Sequence, residues 1–435
     1  MDKNLILEIL EDWNFWRKDI ETGIKRKDYL DLSLRFLKSN MILTIMGVRR
    51  SGKSYLIRQL AKELIEKGKE KNEILIVNFE DKRFDEFNLK ILDQIYETYL
   101  ETLKPKIKPF IFLDEIHKVS DWEKWARTIH ELNKAKIIVS SSSSKLMSKE
   151  LATLLTGRHL NINMFPLNFK EFLYFKNIKI ENKLDIISKR LEIKGLTNEY
   201  LEYGGFPEVV LNEEKKQILL NFFDDIITKD IEKRYEVREA EKLRALARFY
   251  LTNISSTITF NSLKNYLGLS TDTIEKFSSY LEEANLIFFL KRFSYKIKEQ
   301  EKSPRKVYSI DTGLSNAIGF KFSANSGRVM ENVVAIELKR RSTINPNLEI
   351  YYWKNIQNEE VDFVIKENLK VKQLIQVCSD IKDEKTKKRE MRALLKALKQ
   401  FKLKEGLIIS EDISKEEEID GKKIVYIPLW RWLII

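Results

Sequence analysis

The sequence predicts an α/β fold that starts with a parallel sheet and continues through a helical segment, a winged helix-turn-helix and a second α/β domain. Up to residue 165, short apolar runs alternate with amphipathic helical patterns, as in parallel sheets. The next stretch is helical and charged, and strands return after it. Because a chain of 435 residues is too long for a single hydrophobic core, we expect several domains, and the sequence pattern divides it into four. Their expected bounds are 1–165, 166–241, 242–312 and 313–435.

The composition narrows the chemistry that the chain can perform. Its hydrophobic content of 43% is typical of a globular protein. The single cysteine, Cys378, excludes an internal disulfide framework, and the three histidines are too scattered to form a metal-ligand cluster. Chemistry must therefore depend on carboxylates, lysines, arginines and hydroxyls.

The net charge of +12 has two interpretations. It fits affinity for nucleic acid, and it fits equally a lysine-rich proteome or a heat-adapted surface. No apolar run approaches the roughly 20 residues of a membrane span, and the first residues lack the plan of a signal peptide. We expect a cytoplasmic protein with no membrane partner.

One glycine-containing turn carries the strongest functional signal. The apolar run 41–46 leads into G-V-R-R-S-G-K-S, and a helical pattern follows it. In this context backbone N–H groups surround phosphates, the lysine reaches the β and γ oxygens, and the last serine binds Mg²⁺. We therefore predict ATP and Mg²⁺ as ligands, with contacts from Gly47, Val48, Arg49, Arg50, Ser51, Gly52, Lys53, Ser54 and Tyr55. Upstream, Arg26 and Tyr29 either touch the base or only pack.

A second nucleotide signature follows about sixty residues later. Four apolar residues end in Asp114-Glu115 at the predicted carboxyl end of a buried strand. At that position Asp114 can hold the Mg²⁺ hydration shell beside Ser54, and Glu115 can orient and deprotonate the attacking water. A bare match of this kind is common, but the order of the two motifs is that of ATPases.

Two further residues are weaker candidates for catalysis. The strand 136–139 runs into five serines, of which Ser142 is our candidate sensor of the γ-phosphate; a flexible serine loop is the alternative. Arg158 could neutralise transition-state charge in this chain or from a neighbouring subunit of a homo-oligomer, or could simply pair with an acidic side chain.

The motifs together resemble the AAA-type ATPase family of archaea and bacteria. Besides the two nucleotide motifs, the chain has S-S-S-S-K-L-M, G-R, F-P-L-N-F-K-E-F (165–172) and Y-G-G-F-P-E-V-V (203–210) in the same order. The resemblance implies a P-loop domain, a helical lid containing the Gly204-Gly205 turn, a winged helix and a restriction-endonuclease-like domain. One departure is Ser141, where the family often has glycine.

The segment 242–312 follows a winged-helix plan. Helices are expected at 244–253, 261–267 and 271–284, the last with Ser270 as its N-cap. Strands 286–290 and 305–310 bracket a basic wing that contains Lys291, Arg292, Lys296, Lys298, Lys302, Arg305 and Lys306. The third helix is too acidic for base readout, so the wing either contacts nucleic-acid phosphates or serves only for packing.

The last domain departs from a working nuclease. Glu331 and Asp362 match the helix and strand carboxylates of the restriction-endonuclease-like pattern, but Gln376 and Cys378 replace the third acid and the lysine. Such a site holds Mg²⁺ poorly, so we predict no DNA cleavage. The expected function is ATP hydrolysis acting on or regulated by DNA; the alternatives are a nucleotide-gated switch for a protein partner and an ATP-dependent nuclease.

Overall fold

A computed structural model describes residues 1–142, 155, 157–319, 326–379 and 384–435. Ser143, Ser144 and Lys382, which belong to predicted motifs, lie outside this part of the chain. The chain divides into two compact units, Met1–Met164 and Phe165–Ile435. Within the described ranges, no helix is both long enough and apolar enough to cross a membrane.

The first unit is built on a five-stranded parallel sheet, as predicted. The strands are β1 (Ile42–Met46), β2 (Ile74–Asn78), β3 (Phe110–Asp114), β4 (Lys136–Ser141) and β5 (His159–Asn163), in the order β2-β3-β4-β1-β5. Strand β1 lies between β4 and β5 and pairs in parallel with both. The carboxyl ends of β1, β3 and β4 therefore meet at one edge of the sheet.

Helices cover both faces of this sheet. They are α1 (Lys3–Trp13), α2 (Lys27–Leu37), α3 (Lys53–Glu66), α4 (Leu89–Leu103) and α5 (Trp122–Glu131). Alternate residues of β1 pack in opposite directions: Ile42 and Met46 lie in a core with α1, α4 and α5, whereas Leu43 and Ile45 lie in a core with α2 and α3. Double coverage explains why β1 is buried at every position and apolar at all but Thr44.

The second unit begins with helices, as the charged helical pattern predicted. They are α6 (Phe169–Phe175), α7 (Lys183–Ser188), α8 (Arg190–Tyr203), α9 (Pro207–Leu211) and α10 (Lys215–Asp225), followed by a π-helical segment at Ile226–Glu232. Between α8 and α9 the Gly205 N–H donates to the Asp311 carboxylate at 2.7 Å. This turn is thus fixed by a residue about a hundred positions later.

A small antiparallel sheet follows. Its strands β6 (Ser256–Ile258), β7 (Ile287–Leu290) and β8 (Arg305–Ser309) have the order β6-β8-β7, with helices α11 (Ala240–Thr252), α12 (Phe260–Leu267) and α13 (Thr271–Glu283) beside them in the chain. Ser270 caps α13 as predicted, accepting from the Thr273 N–H. The sequence missed β6 and the short helix α14 (Ile297–Lys302), which occupies the expected wing.

The chain ends in a six-stranded mixed sheet. Helices α15 (Thr312–Ile318) and α16 (Ser326–Ile344) precede β9 (Leu348–Lys354), β10 (Glu360–Glu367), β11 (Lys370–Cys378), α17 (Glu384–Gln400), β12 (Glu405–Ser410), β13 (Lys415–Ile419), β14 (Lys422–Pro428) and α18 (Leu429–Ile434). The strand order is β13-β14-β12-β11-β10-β9. The sequence did not predict α15 or the last three elements, β13, β14 and α18.

One predicted surface residue is in the interior. Lys306, assigned to the basic wing from sequence, is only 2% exposed and lies on β8. The prediction was wrong because a lysine between two strands was assumed to be solvated, as most lysines are. Its ammonium group is instead surrounded by carboxylates of the second unit.

Candidate active site

The residues of the glycine-containing turn form a tight loop between β1 and α3. Arg50 and Gly52 have left-handed backbone conformations (φ 69° and 99°), which turn the chain sharply before the helix. A Cβ atom on Gly47 would lie 2.1 Å from the Met164 carbonyl oxygen, so only glycine fits there. Backbone N–H groups at the start of a helix then face the loop interior, which favours an anion.

Lys53 lies inside this loop rather than in solvent. Its Nζ donates to the carbonyl oxygens of Gly47 at 3.1 Å and Val48 at 3.3 Å, and it lies 3.3 Å from Glu115 Oε1. The side chain is 3% exposed. The ammonium group is thus poised where phosphates would enter, and it is paired there with Glu115.

Two carboxylates, on the last residue of β3 and the residue after it, lie at the same edge of the sheet. Asp114 is buried and forms a hydrogen bond with the Ser54 side chain. Burial and then the neighbouring Glu115 carboxylate raise the pKa of Asp114 above its ordinary value. A divalent cation would relieve this cost by stabilising the ionised form.

Glu115 turns away from the strand direction. It has φ 52°, an uncommon left-handed conformation that redirects its carboxylate toward the phosphate loop. Oε2 accepts from the Ser142 N–H at 3.0 Å and lies 3.2 Å from His117 Nδ1. Burial favours the neutral acid, but Lys53 and His117 outweigh it, and the pKa of Glu115 lies well below its ordinary value.

The serines at the carboxyl end of β4 and just after it contact the two carboxylates or the neighbouring His117. Ser140 Oγ donates to Asp114 and accepts from the Glu115 N–H at 3.0 Å. Ser141 Oγ is 3.0 Å from His117 Nδ1. Ser142, the sensor candidate from sequence, reaches Glu115 through its backbone N–H. The hydroxyl that bridges Asp114 and Glu115 is therefore that of Ser140.

Arg158 does not lie near the phosphate loop of its own chain. Its carbonyl accepts from the Ile42 N–H at the amino end of β1, and its guanidinium pairs with Glu131. The loop starts at the other end of β1, about 13 Å of strand away. Within one chain, Arg158 therefore pairs with an acidic side chain and does not reach the phosphate loop. A catalytic role of Arg158 in a neighbouring subunit stays a prediction.

The remaining predicted contacts surround the loop. Arg49 pairs with Glu80 at 2.8 Å, and Tyr55 is 43% exposed on the first turn of α3. Arg26 is buried and donates to the Ser51 carbonyl oxygen at 2.9 Å, so it supports the loop from behind. The guanidinium carbon of Arg26 lies 4.5 Å from the centre of the Tyr29 ring.

The Ser51 side chain shows that the loop is suited to a phosphate. Its hydroxyl is buried and has no hydrogen-bond partner among the described residues. Such orphaned groups are rare in folded proteins and require an explanation. A phosphate oxygen within the loop would accept this hydrogen bond.

Comparisons with known families divide the chain into three parts. Residues 39–173 match a family described as an AAA domain. Residues 194–325 and 326–432 match two domains of unknown function, DUF8612 and DUF4143.

Two solved structures are similar to the chain at low sequence identity. The Walker-type ATPase PABY2304 of Pyrococcus abyssi has 13% identity, a TM-score of 0.43 and coverage of 70% of this chain and 99% of that one. The Aeropyrum pernix ORC1 protein in complex with DNA has 10% identity, a TM-score of 0.30 and coverage of 73% and 96%.

Two relatives extend over nearly the whole chain. The uncharacterized protein MJ1544 of Methanocaldococcus jannaschii is 36% identical over 417 residues, covering 92% of this chain and 90% of that protein. An uncharacterized protein of Haemophilus influenzae is 31% identical over 416 residues, covering 94% and 98%. The chain therefore belongs to the same family as these two proteins and carries an AAA domain of the ATPase type at residues 39–173.

Proposed function

We propose that the protein binds ATP with Mg²⁺ at the edge of the first sheet and hydrolyses it. The observation that carries this proposal is the convergence of Lys53, Asp114 and Glu115, three buried charged groups from two motifs about sixty residues apart. Burying charges is costly, and a structural ion pair would not need a third group beside it. Perturbed, clustered charges of this kind are typical of functional sites.

Each residue has a role that follows from its atoms. The loop N–H groups and the Ser51 hydroxyl hold phosphate oxygens, and Lys53 binds the β and γ oxygens. Ser54 and Asp114 are hard oxygen ligands suited to Mg²⁺, which supplies positive charge to the phosphates. Glu115 accepts a proton from the attacking water, and the loss of its Lys53 contact on nucleotide binding makes its carboxylate a stronger base.

The pairing of Lys53 with Glu115 implies a change on nucleotide binding. Lys53 Nζ already contacts the Gly47 and Val48 carbonyl oxygens and Glu115, so its three hydrogens are in use and a γ-phosphate must displace one of these contacts. We propose that it displaces the contact with Glu115. When Lys53 turns to the phosphates, Glu115 loses this partner and becomes available to water. The site is therefore assembled by the nucleotide itself.

Two variants separate binding from hydrolysis. Lys53→Ala should lose nucleotide binding, because it removes the cation that contacts the phosphates. Glu115→Gln should bind ATP nearly normally and hydrolyse it about 100-fold more slowly or worse, since the loss falls on water activation. Binding is measured with a fluorescent ATP analogue and hydrolysis by phosphate release.

The matched control is Lys67→Ala, which changes an exposed lysine just after the other end of α3. It should behave as the parent protein does. Hydrolysis at the parent rate in both Lys53→Ala and Glu115→Gln would show that the site assignment is wrong.

We also propose that residues 242–312 form a winged helix that contacts nucleic-acid phosphates. The support is a group of exposed lysines on and beside α14, namely Lys296, Lys298 and Lys302, next to Tyr295, whose side chain is 78% exposed. Glu299 and Glu301 offset part of this charge by pairing with Lys296 and Lys291. Such a surface suits contacts with the phosphates of a nucleic-acid backbone rather than with the bases.

A further inference from the structure

A buried ammonium group lies at the centre of a carboxylate cluster in the second unit. Lys306 Nζ is 2.9 Å from Glu331 Oε1, 2.9 Å from Asp362 Oδ1 and 2.7 Å from Glu360 Oε1. The lysine comes from β8, Glu331 from α16, and the other two acids from β10. The three-stranded sheet thus supplies the cation for acids that belong to the C-terminal domain.

Other groups of the protein donate hydrogen bonds to the carboxylate oxygens of Glu331 and Asp362. Tyr308 OH donates to Glu331 Oε1 at 2.7 Å, and the Val377 N–H donates to Asp362 Oδ2 at 2.9 Å. Gln376 accepts from the Asp362 N–H at 3.3 Å and donates to Glu390. The amide that replaces the expected third acid is therefore part of the same network.

The electrostatics favour a permanently held cation. Burial opposes the charge on Lys306, but Asp362 and Glu331 outweigh it, and the pKa of Lys306 lies well above its ordinary value. Burial and the Asp362 charge raise the pKa of Glu331 to about 8. Removing the ammonium would leave Glu331 and Asp362 buried side by side without this cation, whereas Glu360 would keep its contact with Lys354 at 3.4 Å.

The same position would be needed by a metal ion. A divalent cation requires carboxylate oxygens within about 2.0–2.6 Å, and the acids that could provide them are already arranged around Lys306 Nζ. Among the described residues there is no group of three or more acidic, histidine or cysteine side chains arranged to hold a metal. An ammonium and a divalent ion cannot share one such space.

We propose that Lys306 is the resident cation of this cluster: its ammonium group takes the place of a divalent ion and fastens the three-stranded sheet to the C-terminal domain. The cluster then has no metal to activate water. Lys306 itself is 2% exposed, so a phosphodiester has no path to it. The acids then serve to hold β8 against the C-terminal domain. Through β8 they also fix the position of the segment that carries α14.

The first test uses the unmodified, nucleotide-free protein. Any rise in Tm that Mn²⁺ or Mg²⁺ causes by binding at Asp114 should persist in Asp362→Asn, and supercoiled DNA should stay intact in the unmodified protein with either ion. Binding of one Mn²⁺ that is lost in Asp362→Asn, or DNA cleavage that is lost in Lys306→Ala, would overturn the proposal and make the cluster a metal site.

The second test changes the cation. Lys306→Ala should lower Tm by about 10 °C, because it leaves buried acids unpaired, and Mn²⁺ should restore part of that loss by entering the vacated space. The control is Lys302→Ala, which changes an exposed lysine of the same segment. It should neither lower Tm nor make Tm respond to Mn²⁺ in this way. If Lys306→Ala does not fold, Glu360→Gln removes one acid only and should lower Tm less. An unchanged Tm in either variant, or no Mn²⁺ response in Lys306→Ala, would contradict the proposal.

Discussion

Ser140 connects the two acids of the candidate active site. Its hydroxyl donates to Asp114 and accepts from the Glu115 N–H, so it fixes the relative position of the two carboxylates. Ser140→Ala should therefore leave ATP binding nearly intact and slow hydrolysis about 10- to 100-fold, the equivalent of a hydrogen bond to a charged group. Phosphate release under saturating ATP measures this.

Ser142→Ala is the matched control for Ser140→Ala. Its contact with Glu115 is made by the backbone N–H, which alanine retains, so hydrolysis should fall less. A larger loss in Ser142→Ala than in Ser140→Ala would restore Ser142 as the sensor residue.

The sequence was most informative about residues whose neighbours along the chain define their place. Lys53 and Ser54 follow from the loop pattern, and Asp114 with Glu115 from a strand end, and the structure brings all four together. Five identical serines, in contrast, contain no signal that selects Ser140. For a related reason the sequence left both roles of Arg158 open, because a lone arginine does not reveal which end of a strand it occupies.

At the scale of elements, the turn between α8 and α9 depends on a glycine. Gly204 has φ +75°, and a Cβ atom there would lie 2.0 Å from Asp311 Oδ1. Gly204→Ala should destabilise the second unit by more than about 2 kcal/mol, through the strained backbone and the displaced carboxylate. Calorimetry of the full chain measures the loss.

Gly195→Ala is the control for that variant. Gly195 lies within α8, and a Cβ atom added there would meet no neighbouring atom within 4 Å, so alanine should raise stability by about 0.5–1 kcal/mol. Equal effects of the two substitutions would show that the turn is not fixed by Asp311.

Two of the elements that the sequence missed lack an apolar pattern. Strand β13 reads K-E-E-E-I, with no apolar alternation, because it is an edge strand whose charges protect it from pairing with other chains. Helix α14 is short and has no buried residue, so it leaves no periodic pattern. The strands of the first sheet were readily predicted since helices cover both of their faces.

For the whole molecule, the net charge of +12 does not by itself identify a partner. Removing Lys306 from the set of surface lysines makes the nucleic-acid proposal more specific, because it then depends on three exposed side chains around α14. These lysines sit on a segment that the Lys306 cluster would hold in place. A rigid basic surface loses less entropy on binding a phosphate backbone than a mobile one.

Replacing Lys296, Lys298 and Lys302 together by glutamine should therefore weaken binding to duplex DNA and flatten its salt dependence. Each lost phosphate contact lowers the log–log slope by about 0.9, so three contacts would remove roughly 2.7. The control replaces Lys67, Lys104 and Lys106, exposed lysines of the first unit, and changes the net charge equally. Fluorescence anisotropy between low and moderate salt gives both slopes. If the two triple variants flatten the slope alike, the effect is one of net charge and the contact surface lies elsewhere. If neither does, these lysines make no phosphate contacts, the proposal for the α14 surface is wrong, and a protein partner gated by the nucleotide becomes the better account of this surface.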